Sequence, residues 1–326
     1  MNFPDPMSPE PGFVSLAVSQ KRAVAQGIVL FELRHPEGDA LPAFTAGSHL
    51  TVVTPSGVRR NYSLCGNPAD TRAYAIAVKR DAGGRGGSIS MADELQQGDT
   101  IQVSAPRNNF ELAPRARSFI FVAGGIGITP VYAMMKHLHG SGDAPFKLYY
   151  CTRDAEGTAF MDELTQADYA SAVKLHHDHG DPGKAFDFWP VFEKPQAGVH
   201  VYCCGPRGLM DAVQDMTGHW PPGSVHFESF GVDGRAFAEN RPFSVRLARS
   251  GTQVEVGASQ TLLEALRASG CQVTSSCESG TCGSCRTRLL SGVAEHRDMV
   301  LQDDEKQDQI MVCVSRSAGT ELVLDL

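Results

Sequence analysis

The order of apolar and polar positions changes character twice along the chain. Up to about residue 112, apolar residues come in short alternating runs such as "HLTVVTP", "AYAIAVKR" and "TIQVSAP", separated by Gly, Pro, Asn and Asp. A period of two with frequent turn residues predicts half-buried strands closing into an antiparallel barrel. "SISMADEL", preceded by "GGRGG", breaks the alternation and predicts one helix. From residue 116 the pattern alternates between strand and helix: "SFIFVA" before "VYAMMKHL", "FKLYYCTR" before "FMDELTQ", then "AVKLHHD", then "GVHVYCCGP" before "RGLMDAVQDM". That alternation predicts an α/β unit with a parallel sheet. "GVDGRAFAENR", residues 231–241, is polar and predicts a linker. Beyond it, "FSVRLARSG" and "TQVEVGAS" predict a hairpin, "TLLEALRAS" a helix and "ELVLDL" a last strand. The expected division is a barrel over 1–114, an α/β domain over 115–230, a linker over 231–242 and a compact domain over 243–326.

Composition narrows the class. A chain of 326 residues suggests two or three domains. With 42% hydrophobic and 20% charged residues it has an ordinary globular balance. The formal net charge of -8 argues against nucleic acid as a general partner. The longest apolar stretch, Phe119 to Met135, is interrupted by Gly124, Gly125, Gly127 and Pro130 and is shorter than the roughly 20 residues of a membrane helix. "MNFPDPMSPEPGF" has prolines and acids where a secretory leader would be basic and then apolar. The nine cysteines are an odd number in a chain too large to need disulfides. Cys65, Cys151, Cys203, Cys204 and Cys271 are scattered and read mostly as small buried residues, so a reducing, cytoplasmic compartment is expected. The Asn61-Tyr62-Ser63 sequon would be idle there.

The densest chemistry is "SSCESGTCGSCR", with Cys277, Cys282 and Cys285 spaced C-x4-C-x2-C and Cys313 far downstream in "QIMVCVSRS", which reads as an apolar strand. This is the plant-type [2Fe–2S] spacing. Ser279, Gly280, Gly283 and Ser284 let backbone N–H groups approach the sulfurs. Zinc is the alternative, although it favours paired C-x2-C ligands, and a disulfide is another. "VAGGIGITP" lies between a strand and a helix without the G-x-G-x-x-G fingerprint. Its Gly124, Gly125 and Gly127 suit a tight turn and close ligand approach, with Thr129 as helix cap and Pro130 at the first helical position. A purely structural turn is the other reading. Cys204, with Gly205 and Pro206, falls at a second strand end, at the carboxyl edge where such sheets bind ligands; it is equally a buried strand cysteine. In the barrel, Arg60, Asn61, Tyr62 and Ser63 supply a phosphate fork, a stacking face and a hydroxyl; Ser88 is expected to cap the helix after "GGRGG". Each of these alone also reads as a surface residue. His176 and His177 in "LHHDHGD" would point to opposite faces of a strand, which disfavours a metal site with His179.

"RNYSL", "GGRGGS", "VAGGIGITP", "YCCGP", "HFESFG" and "CESGTCGSC" followed by a distant cysteine occur in one order. That order resembles the ferredoxin–NADP reductase superfamily with a C-terminal plant-type ferredoxin domain, over nearly the whole chain. The resemblance implies an FMN-binding barrel, an NAD-binding α/β domain and a β-grasp [2Fe–2S] domain. It implies that Arg60 holds the FMN phosphate with Gly86, Gly87 and Ser88, and that Tyr62 packs on the isoalloxazine beside Asn61. Ser63 would lie near flavin N5, and Ala77, Val78 and Lys79 would line the ring and ribityl chain. Thr129 would mark where flavin meets nicotinamide, with Gly124, Gly125, Gly127, Cys204, Gly205 and Pro206 on the NAD side and Phe230 covering the flavin face. Ser63, Thr129, Cys204 and Phe230 would then be the residues at the reaction centre. Cys277, Cys282, Cys285 and Cys313 would ligate the cluster.

Electron counting gives the implied reaction. Nicotinamide gives two electrons as hydride, a [2Fe–2S] cluster accepts one, and flavin can do both. Hydride would pass from NADH to FMN and single electrons through the cluster to a partner, which the resemblance names as a Rieske-type oxygenase; the role it implies is the reductase component of an aromatic-ring dioxygenase system. The alternative is the reductase of a vanillate-type demethylase or monooxygenase. A redox sensor using the cluster as a switch is the rival class, and the acidic charge weighs against its DNA-binding form. The chain is expected to act as a monomer in isolation, without membrane or nucleic acid.

Overall fold

The computed structural model describes residues 12–84, 86–230, 240–275 and 277–326, so most of the expected linker lies outside the described residues. The chain forms two compact units, Met1–His226 and Phe227–Leu326.

The first unit begins with β1 (Phe13–Ala25), β2 (Ile28–Arg34), β3 (Ser48–Val53), β4 (Arg59–Ser63), β5 (Tyr74–Lys79), α1 (Gly87–Asp93), β6 (Thr100–Ser104) and β7 (Arg107–Asn108). The strands form one antiparallel sheet in the order β4-β3-β6-β1-β2-β5, with β7 on β3. It closes where Leu64 bridges Ile76 and Cys65 N–H donates to Ala75 O at 2.8 Å. The alternation seen in the sequence turns Leu16 and Val18, Phe31 and Leu33, Leu50 and Val52, and Ile76 and Val78 inward to one core. Burial of each such side chain is worth about 1.5–3 kcal/mol.

Next come β8 (Ser118–Gly124), α2 (Ile128–Ser141), β9 (Phe146–Thr152), α3 (Met161–Leu164), α4 (Ala167–Ala170), β10 (Val173–His177), α5 (Trp189–Phe192), β11 (Val199–Cys204), α6 (Arg207–Thr217) and β12 (Val225–Glu228). The sheet order is β10-β9-β8-β11-β12, and β8, β9, β10 and β11 are parallel. β12 has no clear pattern in the sequence, because it is short and carries His226 and Glu228. Ile28, Leu30, Cys65 and Ala77 of the barrel share one buried cluster with Phe121, Ile128, Tyr132 and Met134 of the α/β layer. Lys136 enters this region, donating to Cys65 O at 3.0 Å with its Nζ 3.9 Å from the Tyr132 ring centroid. Burial lowers its pKa.

The second unit contains β13 (Phe243–Leu247), β14 (Gln253–Val256), α7 (Leu262–Ala268), β15 (Arg286–Ser291), β16 (Ala294–Glu295), β17 (Gln309–Met311), β18 (Arg316–Ser317) and β19 (Glu321–Leu324). β13 and β14 form the expected hairpin, and β19 runs parallel to β13 in a sheet ordered β14-β13-β19-β15-β17. Thr261 starts α7 with a capping box: its hydroxyl accepts the Glu264 N–H at 3.1 Å, and Glu264 accepts the Thr261 N–H at 2.9 Å. Cys313 departs from expectation. β17 ends at Met311, and Val314 N–H and Ser315 N–H both return to Met311 O, so Cys313 sits in a turn rather than a strand. No helix among the described residues is long and apolar enough to cross a membrane.

His200 on β11 and His226 on β12 share a ring-to-ring hydrogen bond of 3.1 Å, and His226 stacks on Tyr202 with centroids 4.3 Å apart. Burial, then the neighbouring His200, pushes His226 down from 6.5 to about 4. The unfolded chain therefore binds this proton at a higher pH than the folded chain does. Stability should be full above pH 6.5 and fall as pH drops towards 4, by about 1–2 kcal/mol after solvent screening. Denaturant titration from pH 7 to 4 should show that slope, and His226→Phe, which keeps the stacking, should flatten it.

Candidate functional site

The order β10-β9-β8-β11-β12 reverses direction between β8 and β11, and in open α/β sheets ligands bind outside the carboxyl ends of the strands at that point. β8 ends at Gly124 and β11 at Cys204, paired through Ala123 and Cys204. The structure thus brings Gly124, Gly125, Gly127 and Thr129 beside Cys204, Gly205 and Pro206. A Cβ on Gly127 would lie 2.1 Å from Cys204 O and 2.8 Å from Gly205 N. One on Gly124 would meet Pro206 Cδ at 2.5 Å and Leu209 Cδ2 at 2.7 Å. These two glycines therefore serve turn-to-turn packing first. Gly125 differs, with φ 52° and nothing near a Cβ, leaving its outer side open. Thr129 is not the cap: Gly127 holds that position, and the Thr129 hydroxyl donates back to Ile126 O at 3.1 Å. A 3-10 turn over Gly125–Gly127 moves the helix start, which puts Pro130 at the third helical residue. Cys204 is fully buried and Thr129 nearly so.

β5 reaches the Gly125–Gly127 turn, and its Ala77 lies in the same buried cluster as Ile128. The barrel closure between β4 and β5 brings Tyr62 and Ser63 to the same region of the barrel as Ala77, Val78 and Lys79. Ser63, Ala77 and Val78 are buried, while Asn61 and Lys79 are exposed. The Tyr62 hydroxyl is buried with no hydrogen-bond partner, and burial pushes its pKa up to about 12. Such a group asks for a partner that the polypeptide does not supply, which fits a flavin site. Arg60 crosses the start of α1: a Cβ on Gly87 would meet Arg60 Nε at 3.2 Å. Gly86, not Ser88, caps α1, because that position is left-handed at φ 88° and suits glycine. Ser88 lies one residue into the helix and accepts the Asp81 N–H at 3.2 Å, tying down the loop after β5. Phe230 is 45% exposed.

In the cysteine loop Cys277 neighbours Cys282, whose sulfur accepts the Cys277 N–H at 3.5 Å, and Cys285 neighbours Cys313. Among the described residues, the only three or more Cys, His, Asp or Glu ligand atoms lying mutually within 4.8 Å are those of His35, Glu37 and Asp39, far from this loop in sequence. A single zinc would gather all four sulfurs, at about 2.3 Å from the metal. Two separate pairs suit two irons. Backbone donors face the sulfurs: Ser279 N–H to Cys277 at 3.4 Å, Cys277 N–H to Cys282 at 3.5 Å, and Gly280 N–H to Cys313. Ser284 Oγ is 3.0 Å from Cys282 Sγ. All nine cysteines are free, so the disulfide alternative falls. In the α/β sheet, His176 bonds the Lys184 carbonyl at 2.7 Å and His177 bonds Thr152 Oγ1 at 2.9 Å, two unrelated structural partners. Sequence reasoning missed Lys136, which lies mid-helix in an otherwise apolar run, and the half-buried His296 beside buried Asp298.

Fold and site together define an oxidoreductase with flavin, nicotinamide and [2Fe–2S] modules. Residues 15–112 match the family described as Oxidoreductase FAD-binding domain, residues 121–215 the Oxidoreductase NAD-binding domain, and residues 245–318 the 2Fe-2S iron-sulfur cluster binding domain. The chain belongs to the phthalate dioxygenase reductase family. It is 63% identical over 315 residues to the phthalate 4,5-dioxygenase oxygenase reductase subunit of Pseudomonas putida, covering 97% of each chain. It is 39% identical to the vanillate O-demethylase oxidoreductase of Pseudomonas putida, covering 96% of this chain and 100% of that one. The solved structure of phthalate dioxygenase reductase, described as modular for electron transfer from pyridine nucleotides to [2Fe–2S], superposes with a TM-score of 0.77 at 59% identity over 97% of this chain and 98% of that one.

The switch-point packing predicts unequal glycine effects. Gly127→Ala drives a Cβ into the Cys204 carbonyl and should cost about 1–3 kcal/mol or more. Gly208→Ala, in α6 with nothing near its Cβ, should gain about 0.4–1 kcal/mol. Thermal denaturation of the two variants checks the difference in sign.

Proposed function

We propose that the chain is the NADH-dependent reductase component of a Rieske aromatic-ring dioxygenase system, of the phthalate dioxygenase kind, with FMN as its flavin. The observation that carries the reading is the C-x4-C-x2-C loop with Cys313, its backbone N–H groups turned to the sulfurs, in a chain that also has a nucleotide-type switch point. When bound, flavin takes two electrons from NADH and releases them singly, the conversion a [2Fe–2S] acceptor requires.

The chain's own residues bind, align and exclude water. Arg60 and the start of α1 hold a terminal phosphate monoester, with Gly87 allowing the close approach; FMN ends in such a group. The unpartnered Tyr62 hydroxyl would meet the ring system at the barrel closure, with buried Ser63 next to it in β4 and Ala77, Val78 and Lys79 alongside. Gly124, Gly125, Gly127, Thr129, Cys204, Gly205 and Pro206 place the nicotinamide at the carboxyl ends of β8 and β11. Buried Cys204 and Thr129 have small side chains that leave room there and donate no proton in the transfer. Cys277, Cys282, Cys285 and Cys313 would hold the cluster. A demethylase reductase is the second reading; identity of 63% to the phthalate relative against 39% to the vanillate one favours the first.

The test has three arms. Purified protein should contain about two irons and acid-extractable FMN; zinc or FAD would refute the corresponding assignment. Arg60→Ala should lose flavin on gel filtration, whereas Ser63→Ala should keep it and slow flavin reduction by NADH in stopped flow. Cys313→Ser should keep NADH–ferricyanide activity and lose delivery to a purified phthalate dioxygenase. Faster delivery to a vanillate-type oxygenase than to a phthalate one would select the second reading.

A further inference from the structure

The cluster loop is gripped from behind by residues 298–301. Met299 N–H donates to Gly280 O at 3.0 Å, and a Cβ on Gly280 would meet Asp298 Cα at 3.1 Å. Gly280 is itself the residue whose N–H faces Cys313 sulfur. The Asp298 side chain is fully buried. Its Oδ2 accepts N–H groups from Val300 at 3.2 Å and Leu301 at 2.9 Å, and Oδ1 accepts the Ser315 hydroxyl at 3.4 Å. These bonds shape the turn that holds Gly280. They also place a carboxylate one backbone contact from the cluster loop, where low dielectric gives a charge long reach.

His296 completes the arrangement. Its Nε2 faces the Lys306 carbonyl at 3.1 Å, a contact that requires the proton on Nε2. Its Nδ1 is buried, has no hydrogen-bond partner and lies 3.6 Å from Asp298 Oδ1. A bare Nδ1 there would set a lone pair against a carboxylate. Protonated there, the ring would be the carboxylate's counter-charge. Nearby charges are engaged elsewhere: Arg297 with Glu295 at 2.8 Å and Lys306 with Asp303 at 2.9 Å.

We propose that Asp298 is a positioning residue for the cluster loop and, with His296 as its counter-charge, sets the reduction potential of the cluster held there. The inference rests on the iron–sulfur reading of the loop. Asp298→Asn keeps an oxygen for the backbone donors and removes the charge. Taking a negative charge away favours the added electron, so the reduced-to-oxidised ratio at a fixed potential should rise about tenfold, or 59 mV for one electron. His296→Gln keeps a donor for the Lys306 carbonyl and removes the positive partner, so the ratio should fall by a similar factor. Glu295→Gln, on the exposed pair, should change it less than about twofold, as expected of a screened surface charge.

The experiment is EPR-monitored redox titration of the full-length protein and the three variants, with iron content measured on each. Opposite shifts for Asp298→Asn and His296→Gln, with Glu295→Gln unchanged, support the proposal. Shifts of the same sign, no shift, or an equal shift in Glu295→Gln overturn it. If Asp298→Asn fails to retain iron, the sign of the His296→Gln shift decides. Wild-type protein without a [2Fe–2S] signal would overturn the cluster reading itself, and the proposal with it.

Discussion

The nucleotide side of the molecule depends on one close approach: the backbone of Gly127 against the carbonyl of Cys204. No side chain fits between them. The approach joins the turn after β8 to the turn after β11, and Gly124 against Pro206 and Leu209 completes the seam. β8 and β11 are the two strands between which the sheet order reverses, so the packing fixes the walls of the crevice. Because β5 of the barrel reaches the same turn, the seam also sets where the flavin-side residues lie relative to the nicotinamide side. The shared core with Ile28, Leu30 and Ala77 makes that placement stiff.

The cysteine loop is built on a different constraint, a run of left-handed residues. Gly280 and Gly283 have φ 77° and 78°, and Glu278 has φ 53° without being glycine. A non-glycine residue there costs about 1–2 kcal/mol and persists only where its surroundings over-determine it. Glu278 is so held: Arg267 at the end of α7 pairs with it at 2.8 Å, Ser275 donates to it at 2.7 Å, and Arg267 also bonds Ser275. The helix that the sequence pattern announces most plainly in this unit is thus the anchor of the loop that its cysteines announce. Curling the chain left-handed turns successive N–H groups toward the sulfurs.

Period-two and strand–helix patterns were legible because a strand or helix must bury a face, and burial writes itself into every second or every third and fourth residue. The ligand cysteines were legible because their spacing is chemical. Caps were less so. Thr129 and Ser88 have the right residue type for an N-cap, yet glycines hold both positions, since a 3-10 turn and a left-handed residue set the helix starts. Cys313 sits among apolar neighbours like a strand residue, and only the return of the chain to Met311 shows the turn that aims its thiol. The Tyr62 hydroxyl and the His296–Asp298 pair were invisible for a further reason. Their significance is an unpartnered or buried atom, which residue identity does not record.

The same burial that builds the cores also sorts the cysteines. Desolvation pushes Cys65 up to about 11, Cys151 up to about 12, and Cys203 higher still, so these remain protonated thiols with little affinity for metal. In the loop the balance reverses for one member of each pair. Bonding from Cys282, Ser279 and Thr281 holds Cys277 low, and Cys313 holds Cys285 low. Cys277 and Cys282 stand half-buried in the loop with Cys285 and Cys313 buried beside them, whereas burial keeps the thiols of Cys65, Cys151 and Cys203 protonated. The clustering that gives the site its geometry thereby also sets it apart from Cys65, Cys151 and Cys203.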